Sequence, residues 1–344
     1  MAALSLVLGQ ANQYNSSGQA YAGVLKLRMK NMIKRLCQGL IAGVAIFFTS
    51  YSFASCGATF CSVNTDWHAQ GAWTGAGSRL DVRYEFIDQD RPMAGSDRVA
   101  VGEIPRHHDE VRTLNRNMVL GYSYNTEAGW GVNVQVPWVT RNHQHIQNHL
   151  GVALDERWDI AALGDARITL RVPLNADQNL GLLAGLKLPT GRTNISNDEQ
   201  DVAERSLQPG TGSTDILLGI AHHAALSGPH SWFVQTLWQH AITQRDHYRP
   251  GDQLGVDLGW RYAFNNAFSA TLQLNAQIRA RDKGSNAEPE DSGSRSVRVS
   301  PGLVYAFSPD TQVYAFAQLP VYTHVNGVQL TASRNFAAGL SQRF

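Results

Sequence analysis

The chain has 344 residues, a formal net charge of +1, 43% hydrophobic and 17% charged residues, and three cysteines. A charge so close to zero gives no case for a nucleic-acid partner, and no segment beyond the N-terminal region approaches the ~18 consecutive apolar residues of a spanning helix. Neither observation excludes a β-barrel, whose alternating residues hide a lipid-facing surface from averaged hydropathy.

Near the N-terminus, Lys30, Lys34 and Arg35 precede the mostly apolar run Leu36 to Phe48, which is followed by residues ending Ser52-Phe53-Ala54. This is the order of a secretory signal, and the run is too short to cross a bilayer as a helix. Residues 1–54 are therefore expected to be an upstream extension and a signal cleaved after Ala54, with Met29 and Met32 as alternative starts. Cys37 would leave with the signal. Cys56 and Cys61 would then be the only thiols of the mature chain, in an oxidising compartment that favours a local disulfide between them. Two rivals stay open: lipidation of Cys56, and metal or redox chemistry at a Cys-x4-Cys pair, for which no adjacent His argues. Residues 55–78 are expected to form a periplasmic segment or plug, and residues 79–344 the barrel.

Period-two alternation predicts strands at 79–88, 112–125, 130–141, 163–174, 180–190, 213–225, 230–241, 253–264, 267–281, 295–307, 311–322 and 332–344. Trp130, Val132, Val134, Val136 and Trp138 share one face of the third. Phe268, Ala270, Leu272, Leu274, Ala276 and Ile278 oppose Ser269, Thr271, Gln273, Asn275, Gln277 and Arg279 in the ninth. The last strand ends on Phe344. Connections alternate between short ones at 126–129, 175–179, 226–229, 265–266 and 308–310 and longer ones at 89–111, 142–162, 191–212, 242–252, 282–294 and 323–331. Short periplasmic turns and long outer loops have that rhythm. The expected fold is all-β: a transmembrane, antiparallel, up-and-down barrel of 12 strands in the bacterial outer membrane, with both termini periplasmic. Trp130, Trp138, Trp232, Trp238, Trp260 and Tyr262 suit an interfacial girdle.

Three motifs stand out. Leu163-Gly164-Asp165 opens a strand, Lys187-Leu188-Pro189-Thr190-Gly191 leaves one, and Pro209-Gly210-Thr211-Gly212-Ser213-Thr214-Asp215 leads into the next. Glycines at strand ends point to close backbone approach or unusual angles. A phosphate cradle is disfavoured because no Gly-Lys-Ser/Thr loop or helix follows. Over roughly residues 160–225 the chain resembles the outer-membrane family named after the meta-pathway of phenol degradation. Its members are described as transporters of small, often aromatic compounds, and the resemblance implies a channel but no catalytic residues.

With the apolar faces towards lipid, the lumen is expected to carry Arg83, Arg167, Arg171, Lys187, Asp257, Arg261, Gln273, Asn275, Gln277, Arg279 and Arg281, together with Asp81, Glu85, Asp215, Arg298 and Arg343. Cations outnumber anions, which favours anionic permeants. The competing reading is a network of internal ion pairs, such as Asp257 with Arg261, stiffening a narrow barrel. His107, His108, His143 and His145 fall in predicted outer loops, where imidazoles could hold a divalent metal; solvated loop histidines are the plainer reading. No cofactor is otherwise implied. An enzyme is not expected, since no His-x-Ser-Asn-Gly signature of an outer-membrane lipase occurs. The function indicated is passage of small organic solutes, with the bilayer and the permeant as partners. Alternatives are a barrel binding metal through its loops and a surface-binding barrel with a closed lumen.

Overall fold

The computed structural model describes residues 62–104, 109–149 and 152–344. The signal-like run, Cys56, Cys61, His107 and His108 lie outside the described residues. The strands are β1 (Gly77–Ala94), β2 (Asp97–Arg98), β3 (Asp109–Asn125), β4 (Gly131–His149), β5 (Val152–Leu163), β6 (Ala166–Pro173), β7 (Leu180–Leu188), β8 (Asp215–Ala225), β9 (His230–Ala241), β10 (Gln253–Ala263), β11 (Phe268–Arg279), β12 (Ser294–Ala306), β13 (Thr311–Val325) and β14 (Val328–Arg343). Neighbours pair antiparallel in chain order, and β14 pairs with β1 from Arg79↔Arg343 to Ala94↔Val328, which closes the sheet. The two-residue β2 only folds back on the tip of β1. β5 and β6 lie end to end along β4 and form one stave, so the closed barrel has twelve.

Alternation explains which way each side chain points. On β11, Leu272 and Leu274 are 47% and 42% exposed, whereas Gln273 and Asn275 between them are 0% and 1% exposed. Exposed leucines and buried amides invert the pattern of a soluble protein and fit lipid outside with a polar interior. The protein is an outer-membrane β-barrel. Phe344 donates its N–H to the Ser78 carbonyl at 2.9 Å, so the ends of β14 and β1 meet at the rim that carries the short turns.

Several staves are taller than the alternation predicts. The segment 142–162, expected as a long outer loop, is mostly the hairpin β4–β5, with His143 opposite Trp158 and His145 opposite Glu156. Much of 89–111 and 323–331 is likewise strand. Beyond the bilayer both faces of a strand meet polar surroundings, so the ladder continues without a hydropathy signature. The expected fourth strand, 163–174, is therefore only the lower part of its stave. The stave breaks at Gly164-Asp165: the Gly164 N–H still donates to the Pro137 carbonyl at 2.8 Å, in register with Trp138↔Leu163, and pairing resumes at Gln135↔Arg167 one residue out of that register. Pro137 has no N–H to offer the stave in return.

Residues 62–76 lie inside the barrel. Trp67 packs with Val63 of the same segment and with Ile87, Val304, Tyr314, Phe316 and Ala337 on inward faces of the wall. Its ring meets Tyr314 edge-on at 4.9 Å between centroids, and its Nε1–H donates to Ser341 Oγ at 3.1 Å.

Candidate functional site in the barrel lumen

The lumenal segment is held as a strand partner would be. Asn64 N–H donates to Gln273 Oε1 at 2.9 Å, and Gln273 Nε2 returns a bond to the Asn64 carbonyl at 2.9 Å. Asn64 Nδ2 also donates to Asp257 at 3.2 Å, Gln318 Nε2 reaches Ser62 Oγ at 2.9 Å, and Arg83 bonds Thr65. The side chain of Gln273 thus acts as a surrogate peptide group. Lower down, Arg171 contacts His68 Nε2 at 3.2 Å and donates to the Gln178 carbonyl at 2.8 Å.

The three sequence motifs converge on the opposite side. A Cβ on Gly191 would lie 2.6 Å from Gly210 Cα, and one on Gly210 would lie 2.5 Å from the Gly191 carbonyl carbon, so only glycines allow the two backbones to touch. Asp165 ties them together, accepting from Gly191 N–H at 3.1 Å and from both Thr211 N–H and Thr211 Oγ1 at 2.8 Å. Lys187 sits between two carboxylates, 3.3 Å from Asp165 and 3.0 Å from Asp215, with all three side chains nearly inaccessible. Ser213 and Gln239 complete the shell of Asp215 at 2.6 and 2.5 Å. The result is a clamp that fixes both ends of the loop 189–214 to the wall.

That loop covers the outer mouth. Its Ala203, Leu207 and Ile195 pack against Trp158, Ile160 and Leu330, while Trp158 Nε1–H donates to the Asp201 carbonyl at 3.0 Å. Carboxyl groups crowd beneath it. Burial, followed by the Glu110, Asp291 and Asp282 carboxylates, pushes Glu288 up to about 9. Burial, then Glu288, Glu110, Asp291 and Glu156, raises Glu204 well above the usual carboxylate range. An acid whose pKa rises on folding stabilises the fold below its unfolded value and loses that contribution as pH climbs. For Glu288 the window runs from 4.5 to about 9. The loops 189–214 and 280–293 are therefore expected to become more susceptible to protease as pH rises through that window. Glu288→Gln should flatten the dependence; an unchanged pH profile in that variant would reject the assignment.

Two cavities remain between the lumenal segment and the outer loops, of about 310 and 210 Å3. The larger is lined by Lys187, Gln253, Gln277, Arg279 and Arg298, among others. The smaller is bounded by the lumenal segment and by Val119, Pro137, Leu183, Leu217 and Leu237. Of the sequence-predicted lumenal residues, Arg167, Lys187, Asp257, Gln277, Arg279 and Arg298 line the larger cavity, and Arg83, Arg167 and Asp257 the smaller. Arg83 is also paired with Glu85 at 2.9 Å. Gln273 and Asn275 are engaged, the first by Asn64 and the second by Asp257 at 2.8 Å. Arg279 is forked on Asp282 at 2.7 and 2.8 Å. Arg281 is exposed, donates to the Pro289 and Glu290 carbonyls of the loop 280–293 and lines neither cavity. The suggested Asp257–Arg261 pair does not form: Arg261 donates to Ser269 Oγ at 3.1 Å instead.

His143 and His145 point inward in a chain running from Thr113 Oγ1 through His143 and His145 to Glu156, with separations of 2.7, 3.3 and 2.8 Å. Among the described residues no group of three His, Cys, Asp or Glu side chains is arranged to hold a metal ion.

Sequence reasoning missed the inward-facing apolar wall of Leu183, Leu217 and Leu237. In runs such as Leu180–Leu188, leucines occupy both faces and the alternation gives no direction.

Residues 161–336 match the sequence family described as "Putative MetA-pathway of phenol degradation". Among solved structures, an outer-membrane channel from Pseudomonas putida F1 superposes with a TM-score of 0.59 at 14% identity, covering 82% of this chain and 99% of that one. The toluene transporter TodX of Pseudomonas putida gives a TM-score of 0.46 at 11% identity, covering 86% of this chain and 100% of that one. A comparison with curated proteins finds no match.

Proposed function

The matched span exceeds half of the 344 residues, so the chain belongs to that family, and from this membership together with the barrel's geometry we propose that it is a gated outer-membrane channel for small organic solutes. The observation that carries the reading is a largely polar lumen holding two adjoining cavities, which share lining residues, behind a closure made of separable contacts. The lower closure is the segment 62–76, which is held to the wall by hydrogen bonds and one tryptophan rather than woven into the sheet. The upper closure is the loop 189–214, clamped at its two ends. A solute of one ring or a few carbons fits cavities of about 310 and 210 Å3.

Planar-bilayer recording on the purified chain tests the reading. A gated channel conducts little at rest and shows openings that become more frequent when permeant solute is added. Steady, solute-independent conductance would mark a general diffusion pore. The absence of current and of liposome flux, even after the lumenal segment is deleted, would sink the channel reading altogether.

A further inference from the structure

We propose that the junction between the two cavities is a binding site for a small monocarboxylate with an apolar body, its carboxylate gripped by Arg167. The inference rests on the channel reading, because a solute must reach the lumen to meet this side chain.

Six residues line both cavities and so form their shared rim: Ser62, Asp165, Arg167, Gln235, Leu237 and Asp257. Three of them carry charge. Asp165 is answered by Lys187 and by Thr211, and Asp257 accepts bonds from Asn275 and Asn64. Arg167 makes no hydrogen bond or ion pair with any of the described residues, although its neighbours across the ladder are Gln135 and Lys187. The other lumenal cations nearby are all engaged: Arg83 by Glu85, Lys187 by two aspartates, Arg261 by Ser269, Arg279 by Asp282 and Arg298 by Ser296. A guanidinium stays charged at any physiological pH and offers a planar fork of donors that fits a carboxylate. In a narrow lumen with low-dielectric walls its field is focused on whatever occupies the junction.

The rest of the site indicates what the carboxylate is attached to. Barrel interiors are normally polar, yet Val119, Leu183 and Leu217 turn inward here, each at most 4% exposed, and Leu237 joins them at the rim. A sugar acid would leave its hydroxyls against these side chains without partners. A hydrocarbon would leave the hydrogen-bond donors of Arg167 without a partner. Gln235, whose Oε1 is buried without a hydrogen-bond partner among the described residues, also lines both cavities and can rotate its amide to donate to a ligand held there. An aryl or short alkyl monocarboxylate meets all of these demands.

Equilibrium dialysis of the full-length chain in a non-ionic detergent, with benzoate, benzamide and benzylamine as probes at neutral pH, reads the site without needing transport. Benzoate is expected to bind saturably at one site per chain, and the two isosteres at least tenfold more weakly. Arg167→Gln should weaken benzoate roughly tenfold to a hundredfold, the usual effect of losing hydrogen bonds to a charged group, and Arg167→Lys should retain part of the affinity. Equal binding of benzoate and benzamide, no saturable benzoate binding, or full affinity in Arg167→Gln would each overturn the proposal. If the variants do not fold, the probe comparison on the unaltered chain still decides. Failure here with normal solute-gated conductance would reject the ligand class alone; loss of conductance in the bilayer test would reject the channel reading instead.

Discussion

Deleting residues 62–73 is expected to raise single-channel conductance severalfold and to abolish its dependence on added solute, while the barrel still folds. The segment supplies none of the inter-strand ladder, so its removal leaves β14 paired with β1. A milder variant probes the same closure. Trp67→Ala removes an almost fully buried indole and its bond to Ser341, at a cost of about 3 to 5 kcal/mol by analogy with other buried aromatic truncations. That loss falls on the docking of the segment rather than on the barrel, so longer and more frequent openings are the expected readout. Unchanged conductance in the deletion would mean that the loop 189–214 alone holds the channel shut.

The second large effect concerns Lys187. Replacing it with Met leaves Asp165 and Asp215 facing each other, 6% and 1% exposed, with no cation between them. Breaking a buried pair from one side costs about 3 to 5 kcal/mol, because the remaining charge is uncompensated. The expected result is a lower urea midpoint for the refolded barrel and protease cleavage within 189–214, since Asp165 also holds Gly191 and Thr211. Adding Asp165→Asn to Lys187→Met should restore part of the loss, because the two sites share one network. Two fully additive losses would show that the clamp does not act as a unit.

How far the sequence speaks depends on what each residue faces. Where lipid lies on one side and polar lumen on the other, as along Phe268–Asn275, burial follows the alternation, with Ser269, Thr271, Gln273 and Asn275 buried and Leu272 and Leu274 exposed. Where both sides are polar, as from Asn142 to Asp159, the strand is real but carries no hydropathy pattern, and it reads as loop. Where both sides are apolar, as around Leu183 and Leu217, the strand is legible but its inward face is not. The motif glycines signalled close approach, and Gly191 against Gly210 bears that out, yet nothing local marks Asp165 as the residue that binds them. Likewise Gln273 and Asn275 read correctly as lumenal. Their engagement with the lumenal segment and with Asp257 depends on residues 18 to 209 positions away, which no window of sequence contains.

Those separations also bear on assembly. The seam joins Arg79 to Arg343, and the first described residues bond to Gln273, Gln318 and Ser341, so the contacts that seat them are among the most non-local in the molecule. Non-local contacts form late, after the entropy of closing long loops has been overcome. Hairpins such as β10–β11 can assemble from their own few residues, but Trp67 has no pocket until β1, β12, β13 and β14 stand side by side. During biogenesis the open-seamed sheet is therefore briefly without an occupant, and the segment takes its seat only as the cylinder closes around it.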